Sequence, residues 1–384
     1  MKDATKLTRI GRAHGEPGLV NPAIERASTV LFGAAGQLYN APPGKTHYGR
    51  VGLSAQSALR DALSELQTGT HCALTPSGLA ANTLAILTCV EAGGEVLAAD
   101  NIYGPVRGFL LNTLPRFGVN TRFVSARIGA EIETQIRENT QAIVLESPGS
   151  LTMEIQDLRA IARIAQARGI ATVIDDTWSA GLTLKPLELG IDYAAQALTK
   201  YPGGHSDVMM GAVLSRTEQQ AQRLQQLERS MGYYVSPDDA FLVLRGLRTL
   251  DLRMKRSADS ALMIADWLSA RSEVGQIYHP ARPDHRDHDL WTRDFSGACG
   301  LFSFSVPGWR LKQSETFLDG LDLFGIGYSW GGFESLAIHC DPQLRRSAED
   351  DRHEGALIRL AIGMEDPSDL IADLENGFAA VAAG

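Results

Sequence analysis

The chain lacks three features that would place it in other classes of protein. It has no run of about 20 apolar residues, the length that a helix needs to cross a bilayer. It has only four cysteines, widely separated and without C-x-x-C or metal-ligand spacing, so we expect free, buried thiols in a reducing compartment. It has no excess of positive charge, since 36 Lys and Arg face 45 Asp and Glu. We therefore predict neither a membrane nor a nucleic acid as a partner.

The amino-terminal residues 1–12 are charged and contain no apolar segment of signal-peptide length. Together with the cysteine pattern, this predicts a cytoplasmic protein. The length of 384 residues is too great for one simple core and favours two domains. Residues 1–52 are rich in Gly and Pro and irregular, which indicates an extended amino-terminal arm.

From residue 71 onward, short apolar runs alternate with segments of helical periodicity. Such alternation predicts an α/β domain with a mostly parallel sheet covered by helices on both faces, here residues 53–246. The predicted strands are 71–74, 95–99, 121–124, 142–146, 171–175, 193–198 and 208–214, and the predicted helices are 78–91, 105–117, 130–138 and 157–168.

The pattern becomes richer in strands after residue 246, which predicts a smaller α+β domain over 247–384. A long helix at 251–271 connects the two domains. The remaining predicted strands are 299–306, 321–326, 336–340 and 357–362, and the remaining helices are 311–319 and 368–382.

One lysine occupies an unusual place in this pattern. The predicted strand 193–198 is followed at once by Thr199 and Lys200, and then by a Pro-Gly-Gly turn. In open α/β sheets the crevice beyond the strand ends is where ligands bind. An amine held there can lose its proton through desolvation and attack a carbonyl group. An isolated lysine is more often a solvated turn residue, so the interpretation depends on other residues.

Two further segments predict ligand groups at the same sheet edge. Ser77, Gly78 and Leu79 follow a strand and begin a helix, where backbone N–H groups and the helix dipole favour a phosphate. A serine N-cap with nothing bound fits the local sequence equally well. Asp175 ends the strand 171–175 and could pair with a ring nitrogen. The alternative interpretation is that the Asp175 carboxylate caps the next turn. We assign that role to the neighbouring Asp176.

Arg359 lies in an apolar strand of the smaller domain. A guanidinium group that faces inward needs a partner, and a substrate carboxylate supplies one through two parallel hydrogen bonds. An internal salt bridge is the structural alternative.

Short motifs that occur in order along nearly the whole chain resemble the cystathionine β-lyase/γ-synthase family of enzymes that depend on pyridoxal 5′-phosphate (PLP). The segment around Lys200 resembles the cofactor lysine of that family. The other matches are Y-G-R at 48–50, N-I-Y at 101–103, L-E-S-P-G-S at 145–150, I-D-D-T-W at 174–178, Y-S-W-G-G at 328–332 and L-I-R-L at 357–360.

The resemblance implies a type I PLP-enzyme fold, similar to aspartate aminotransferase, and a role for each matched residue. Lys200 carries PLP as a Schiff base and later acts as general base, with Tyr103 as a second catalytic residue that stacks on the cofactor. The other cofactor ligands implied are Asp175 at the pyridine nitrogen and, at the phosphate, Ser77, Gly78, Leu79, Thr199, Tyr48 and Arg50. The substrate contacts implied are Tyr328, Ser329, Trp330 and Arg359.

One position departs from many relatives, which carry a serine three residues before the lysine where this chain has Ala197. The family forms homo-oligomers in which Tyr48 and Arg50 reach the cofactor of a neighbouring subunit. We therefore expect a dimer as the active unit, and dimers that pair into tetramers.

The resemblance also indicates the reaction. Members that act at the γ-carbon usually read E-S-x-G-G at the motif 328–332, so Tyr328 and Trp330 favour the β-lyase branch. The expected activity is β-elimination of L-cystathionine to homocysteine, pyruvate and ammonia. The alternatives are cystathionine γ-lyase, γ-synthase, methionine γ-lyase, a β-lyase for other cysteine S-conjugates, or a PLP-fold protein that binds without turnover.

Two weaker patterns suggest other chemistry. Residues 327–331 match G-x-S-x-G of serine hydrolases, with Asp351 and His353 downstream, but that motif requires a helix directly after the serine. His279, His285 and His288 suggest zinc, although their spacing is not that of a metal-binding helix and no cysteine is near. We expect the histidines to lie in a solvated loop.

Overall fold

The computed structural model of the protein describes residues 1–11, 19–40, 46–348 and 353–383. Its strands form two separate sheets, one of seven strands and one of five. The strands of the larger sheet are β1 (His71–Thr75), β2 (Glu95–Ala99), β3 (Asn120–Val124), β4 (Thr140–Glu146), β5 (Ala171–Asp175), β6 (Tyr193–Ala197) and β7 (Gly211–Ser215). Those of the smaller sheet are β8 (Ile277–Tyr278), β9 (Leu301–Val306), β10 (Gly325–Ile326), β11 (Leu336–His339) and β12 (Ala356–Ala361).

The helices of the amino-terminal two thirds mostly alternate with these strands. They are α1 (Asp3–Arg9), α2 (Ala35–Tyr39), α3 (Ser54–Gln67), α4 (Gly78–Cys89), α5 (Gly104–Gly108), α6 (Ile132–Gln135), α7 (Leu158–Arg168), α8 (Glu218–Met231) and α9 (Pro237–Leu247). After α5 the chain continues as a π-helical turn at Phe109–Thr113 and a 3₁₀ turn at Leu114–Phe117, and another 3₁₀ turn lies at Gly49–Val51. The remaining helices are α10 (Leu250–Ser269), α11 (His288–Asp294), α12 (Leu311–Asp319) and α13 (Pro367–Ala383).

The larger sheet has the order β1-β7-β6-β5-β4-β2-β3. Every neighbouring pair from β6 through β3 is parallel, and β7 runs antiparallel to both β6 and β1. The prediction of a mostly parallel sheet is therefore confirmed. Because parallel strands end at the same edge, the carboxyl ends of β4, β5 and β6 bring Glu146, Asp175 and the residues just before Lys200 to one crevice.

Two predicted elements of the larger sheet are shorter than expected. The predicted helix 130–138 is helical only at Ile132–Gln135, because Ile136 is extended and Arg137 N–H donates to Thr140 Oγ1. The predicted strand 208–214 begins only at Gly211. Its first residues are held differently, since the Thr199 hydroxyl bonds to both backbone polar groups of Met210.

The smaller sheet has the order β10-β11-β12-β9-β8, and a second cluster of aromatic and aliphatic side chains from α10, α12, α13 and this sheet forms its core. The predicted strand 321–326 is wrong over most of its length, because only Gly325–Ile326 pairs. The Asp373 carboxylate accepts the backbone N–H groups of Asp322, Leu323 and Phe324 instead. We propose that the boundary between the two domains lies at residues 246 and 247, between the two sheets in sequence.

The predicted arm, residues 1–52, is only partly extended, and its residues 12–18 and 41–45 lie outside the described ranges. Helix α1 packs on the body of the protein, with Leu7 and Ile10 buried in the main core. Residues 19–40 are mostly exposed and include large apolar side chains, of which Leu31 is 90% exposed. No helix among the described residues has the length and apolar character to cross a membrane.

The solvated loop predicted for the three histidines is wrong for His279 and His285, which are buried. Both rings accept local backbone N–H groups at Nδ1, from Ala281 and Asp287 respectively. Burial lowers the pKa of His279 to about 4, so the ring is neutral. Within the described ranges no cluster of potential ligands could hold a metal ion.

Candidate active site

Lys200 lies just beyond the carboxyl end of β6, as the sequence predicts, and its side chain is mostly buried. The Nζ atom donates to Ser329 Oγ at 2.9 Å and lies 5.3 Å from the centre of the Trp330 ring. Burial, followed by the positive charge of Arg359, lowers the pKa of Lys200 to about 8, against an opposing effect of Asp175. The amine is therefore available in its neutral form near physiological pH.

Asp175 sits at the end of β5 and receives three donors. Thr177 donates to Oδ1 through its N–H at 3.0 Å and its hydroxyl at 2.5 Å, and Asn82 Nδ2 donates to Oδ2 at 2.7 Å. Burial raises the pKa of Asp175, while these hydrogen bonds oppose the shift. The carboxyl group is thus a turn cap, and its hydrogen bonds and the nearby Lys200 favour its charged form against burial. Asp176, to which the sequence assigned the cap, is buried with one oxygen bonded to Ser179.

The turn before α4 approaches the lysine strand closely. Ser77 caps the helix, with its Oγ accepting from Ala80 N–H at 3.1 Å, so Gly78 is the first helical residue. A Cβ atom on Gly78 would lie 2.5 Å from that of Ala197, so only glycine fits there. Thr177 Oγ1 also accepts from Ala197 N–H at 2.9 Å. The predicted phosphate turn, Asp175 and the lysine strand are therefore packed into one unit.

Arg359 is 7% exposed in β12, and its Nη2 donates to the carbonyl oxygens of Tyr328 and Ser329 at 3.2 and 3.1 Å. Its buried Nε has no hydrogen-bond partner, and no described carboxylate lies within ion-pair distance. Burial lowers the pKa of this guanidinium. The internal salt bridge considered from the sequence is thus not formed within the described ranges, which leaves the guanidinium suited to a carboxylate ligand.

Tyr103 precedes α5 at the mouth of the same crevice and is 45% exposed. Its N–H donates to Glu146 Oε2 at 2.6 Å. Burial of its hydroxyl, followed by the negative charge of Asp175, raises the pKa of Tyr103. The turn behind it is anchored by Asp100, a fully buried carboxylate that accepts from Arg107 at 2.7 Å.

Three of the predicted cofactor ligands make their hydrogen bonds with other parts of the described chain. Tyr48 forms an isolated bridge with Thr29, and Arg50 donates to the carbonyl of Arg229 at 3.3 Å. Thr199 is close in sequence, but its hydroxyl is occupied by Met210.

The G-x-S-x-G pattern at 327–331 does not form a serine-hydrolase elbow. Residues 327–335 are irregular between β10 and β11, and no helix follows Ser329. His353 pairs with Asp341 at 2.6 Å, and Asp351 lies outside the described residues. The structure thus provides no support for the hydrolase alternative.

Comparisons with known proteins identify the family of this chain. Residues 4–379 match the family described as "Cys/Met metabolism PLP-dependent enzyme". The chain belongs to this family. It is 43% identical to a putative cystathionine β-lyase of Rhizobium johnstonii, covering 99% of this chain and 96% of that one. It is 40% identical to cystathionine β-lyase MetC of Escherichia coli K12, covering 98% of each chain.

The structure is also similar to solved structures of enzymes. The crystal structure of cystathionine γ-lyase from Lactobacillus plantarum, complexed with L-serine, superimposes with a TM-score of 0.89 at 29% identity, covering 100% of each chain. The predicted type I fold and the predicted PLP cofactor are therefore confirmed.

The residues of the crevice fit PLP chemically. A neutral amine suits the aldehyde, a carboxylate suits a protonated ring nitrogen, and the free N–H groups of a helix start suit the phosphate. The close packing of Gly78 against Ala197 holds this helix start beside the strand that leads to Lys200.

Three residues of the site, Asn82, Thr177 and Glu146, had no predicted role. Helix α4 is mostly apolar, and Asn82 is its most polar side chain. An asparagine in such a helix needs a buried hydrogen-bond partner, so this residue could have been found from the sequence. Glu146 and Thr177 lie in the motifs at 145–150 and 174–178. The atoms that they contact depend on the register between strands, which the sequence does not give.

Proposed function

We propose that this chain cleaves the Cβ–S bond of L-cystathionine to give homocysteine, pyruvate and ammonia. The observation that carries the proposal is the position of the Lys200 amine, which is mostly buried, bonded to Ser329 and close to the charge of Asp175. The names of the β-lyase relatives support the same reaction.

PLP, when bound, supplies an electron sink that stabilises negative charge at Cα of an amino acid. Lys200 would hold the cofactor covalently, and Asp175 would pair with its pyridine nitrogen. The helix start at Ser77, Gly78 and Leu79 would bind its phosphate. We also propose that Thr199 lies beside the phosphate, with its hydroxyl turned from Met210 toward the phosphate when the cofactor is bound. Tyr103 would stack on the ring.

Lys200 has two tasks in the reaction. Its neutral amine removes the Cα proton, a step for which a pKa near the working pH is favourable. The resulting ammonium group then gives a proton to the departing sulfur. Ser329 and Trp330 hold the amine through a hydrogen bond and a ring contact, so the proton is exchanged at a fixed position.

Arg359 binds the substrate carboxylate. Its Nη2 is already fixed by the carbonyls of Tyr328 and Ser329, while the buried Nε is free to donate. Because a guanidinium group in a low-dielectric site attracts a carboxylate strongly, this contact orients Cα toward Lys200. Tyr328, 76% exposed, lies at the entrance on the substrate side.

The active unit is a dimer in the cytoplasm, and dimers pair into tetramers. Tyr48 and Arg50 lie on the arm and contact Thr29 and Arg229, and the arm carries exposed apolar side chains that a second copy would cover. In a dimer these two residues would complete the phosphate site of the neighbouring subunit.

Product analysis after incubation with L-cystathionine tests the proposal. Pyruvate and homocysteine in equal amounts are expected. The alternative reaction of the family, γ cleavage, would give 2-oxobutyrate and cysteine and would refute β-elimination. If protein loaded with PLP forms neither pair of products, both reactions are refuted.

A further inference from the structure

Glu146 is a second carboxyl group at the crevice, next to Asp175. The two residues are register partners on the adjoining parallel strands β4 and β5, so both side chains lie at the same sheet edge. No step of the proposed reaction uses Glu146.

The two carboxyl groups have different surroundings. Asp175 receives three hydrogen bonds, whereas Glu146 receives one, from Tyr103 N–H at 2.6 Å. Within the described ranges no cation lies within ion-pair distance of Glu146. Two like charges side by side are unfavourable, so the site with fewer donors takes up the proton.

The charges around Glu146 also favour a proton on this residue. Burial and then the charge of Asp175 raise its pKa well above the ordinary value. The Tyr103 hydrogen bond and Arg346 oppose the shift, and Glu154 adds to it. A neutral carboxylic acid still accepts an N–H through one oxygen, so it can hold Tyr103 without adding negative charge beside Asp175.

We propose that Glu146 is a positioning residue that acts as a neutral acid: it fixes the backbone of Tyr103 at the crevice and leaves Asp175 as the charged carboxylate. The part of this inference that concerns turnover rests on the proposed role of Tyr103.

Hydrogen exchange of the cofactor-free protein tests the anchor without any use of activity. Glu146→Leu removes the acceptor and should speed exchange of the Tyr103 amide by about tenfold, the equivalent of one lost hydrogen bond. Glu146→Gln keeps an acceptor oxygen without charge and should retain the protection. The matched control is Gln141→Leu, which removes the side-chain acceptor of Glu91 N–H at the opposite end of β4 and should leave Tyr103 unchanged.

Turnover then tests positioning. Glu146→Leu should lower kcat/KM by about tenfold, Glu146→Gln should restore most of it, and Glu146→Leu should add no further loss to Tyr103→Ala, because both act through one ring. Unchanged exchange in Glu146→Leu, or equal loss of protection in Glu146→Gln, would overturn the anchor. Altered exchange with additive losses of turnover would overturn the positioning role. If wild-type protein loaded with PLP has no lyase activity, the proposed function fails. The hydrogen-exchange result still tests whether Glu146 holds the Tyr103 backbone.

Discussion

Replacing Lys200 by methionine should stabilise the cofactor-free protein at neutral pH. The structure holds this amine in a crevice where its pKa falls from the ordinary 10.5 to about 8, first through burial and then through Arg359. At about 1.4 kcal/mol per pH unit, the protonated amine costs the folded state roughly 3 kcal/mol. Methionine has a similar length and no charge, so it removes this cost.

The effect should depend on pH in a defined direction. The folded-state pKa is lower than the unfolded one, so the destabilisation is complete below about pH 8 and is relieved as the pH rises from there toward 10.5. The gain from Lys200→Met should therefore fall from about 3 kcal/mol at pH 7 to about half of that at pH 9.5. Titrating groups that do not interact with Lys200 are shared by the two proteins and cancel in the difference.

Thermal unfolding of the cofactor-free proteins at one fixed concentration measures this difference at each pH. Lys312→Met is the control, because Lys312 is exposed on α12 and lysine and methionine have similar helix propensities. It should change the midpoint little at any pH. A Lys200→Met protein that is no more stable than wild type at pH 7, or a gain that does not vary with pH, would refute the desolvated lysine.

Two further predictions concern the cofactor site. Asp175→Asn should lower turnover by at least about a hundredfold while changing the thermal midpoint little, because asparagine can replace the turn cap but not the charge; unchanged turnover would mean that Asp175 is only a cap. Mixing inactive Arg50→Ala and Lys200→Ala chains should restore part of the activity through hybrid dimers. Hybrids verified by mass that remain inactive would show that each chain builds its site alone.

The sequence predicts those parts of the fold that local periodicity determines. Strands β2 and β5 and helix α12 have the predicted bounds. Helices α8 and α9 were missed, although Thr217 and Gln220 form a capping box and Ser236 with Pro237 marks a second helix start. The helical period was also present in the sequence, since Ala240, Val243, Leu244 and Leu247 of α9 are buried at helical spacing.

What could not be predicted depends on contacts between distant segments. The place of Lys200 at a strand end follows from local sequence, but its hydrogen bond to Ser329 joins the two sheets. The carboxylate of Asp373, which replaces a predicted strand by a capped turn, likewise lies about 50 residues from its partners. The pairing of Glu146 with Asp175 required the register of β4 against β5.

Reduction with labelled borohydride, followed by peptide mapping, tests the central claim that Lys200 holds the cofactor in this crevice. Borohydride fixes a cofactor bound through a carbon–nitrogen double bond onto the amine that carries it. Lys185 is a suitable internal comparison, because it is also largely buried but bonded to the carbonyls of Leu66 and Gly181. The label is expected on Lys200 alone and should be absent from Lys200→Ala. Label on Lys185 or any other lysine, or none in protein loaded with PLP, would contradict the account.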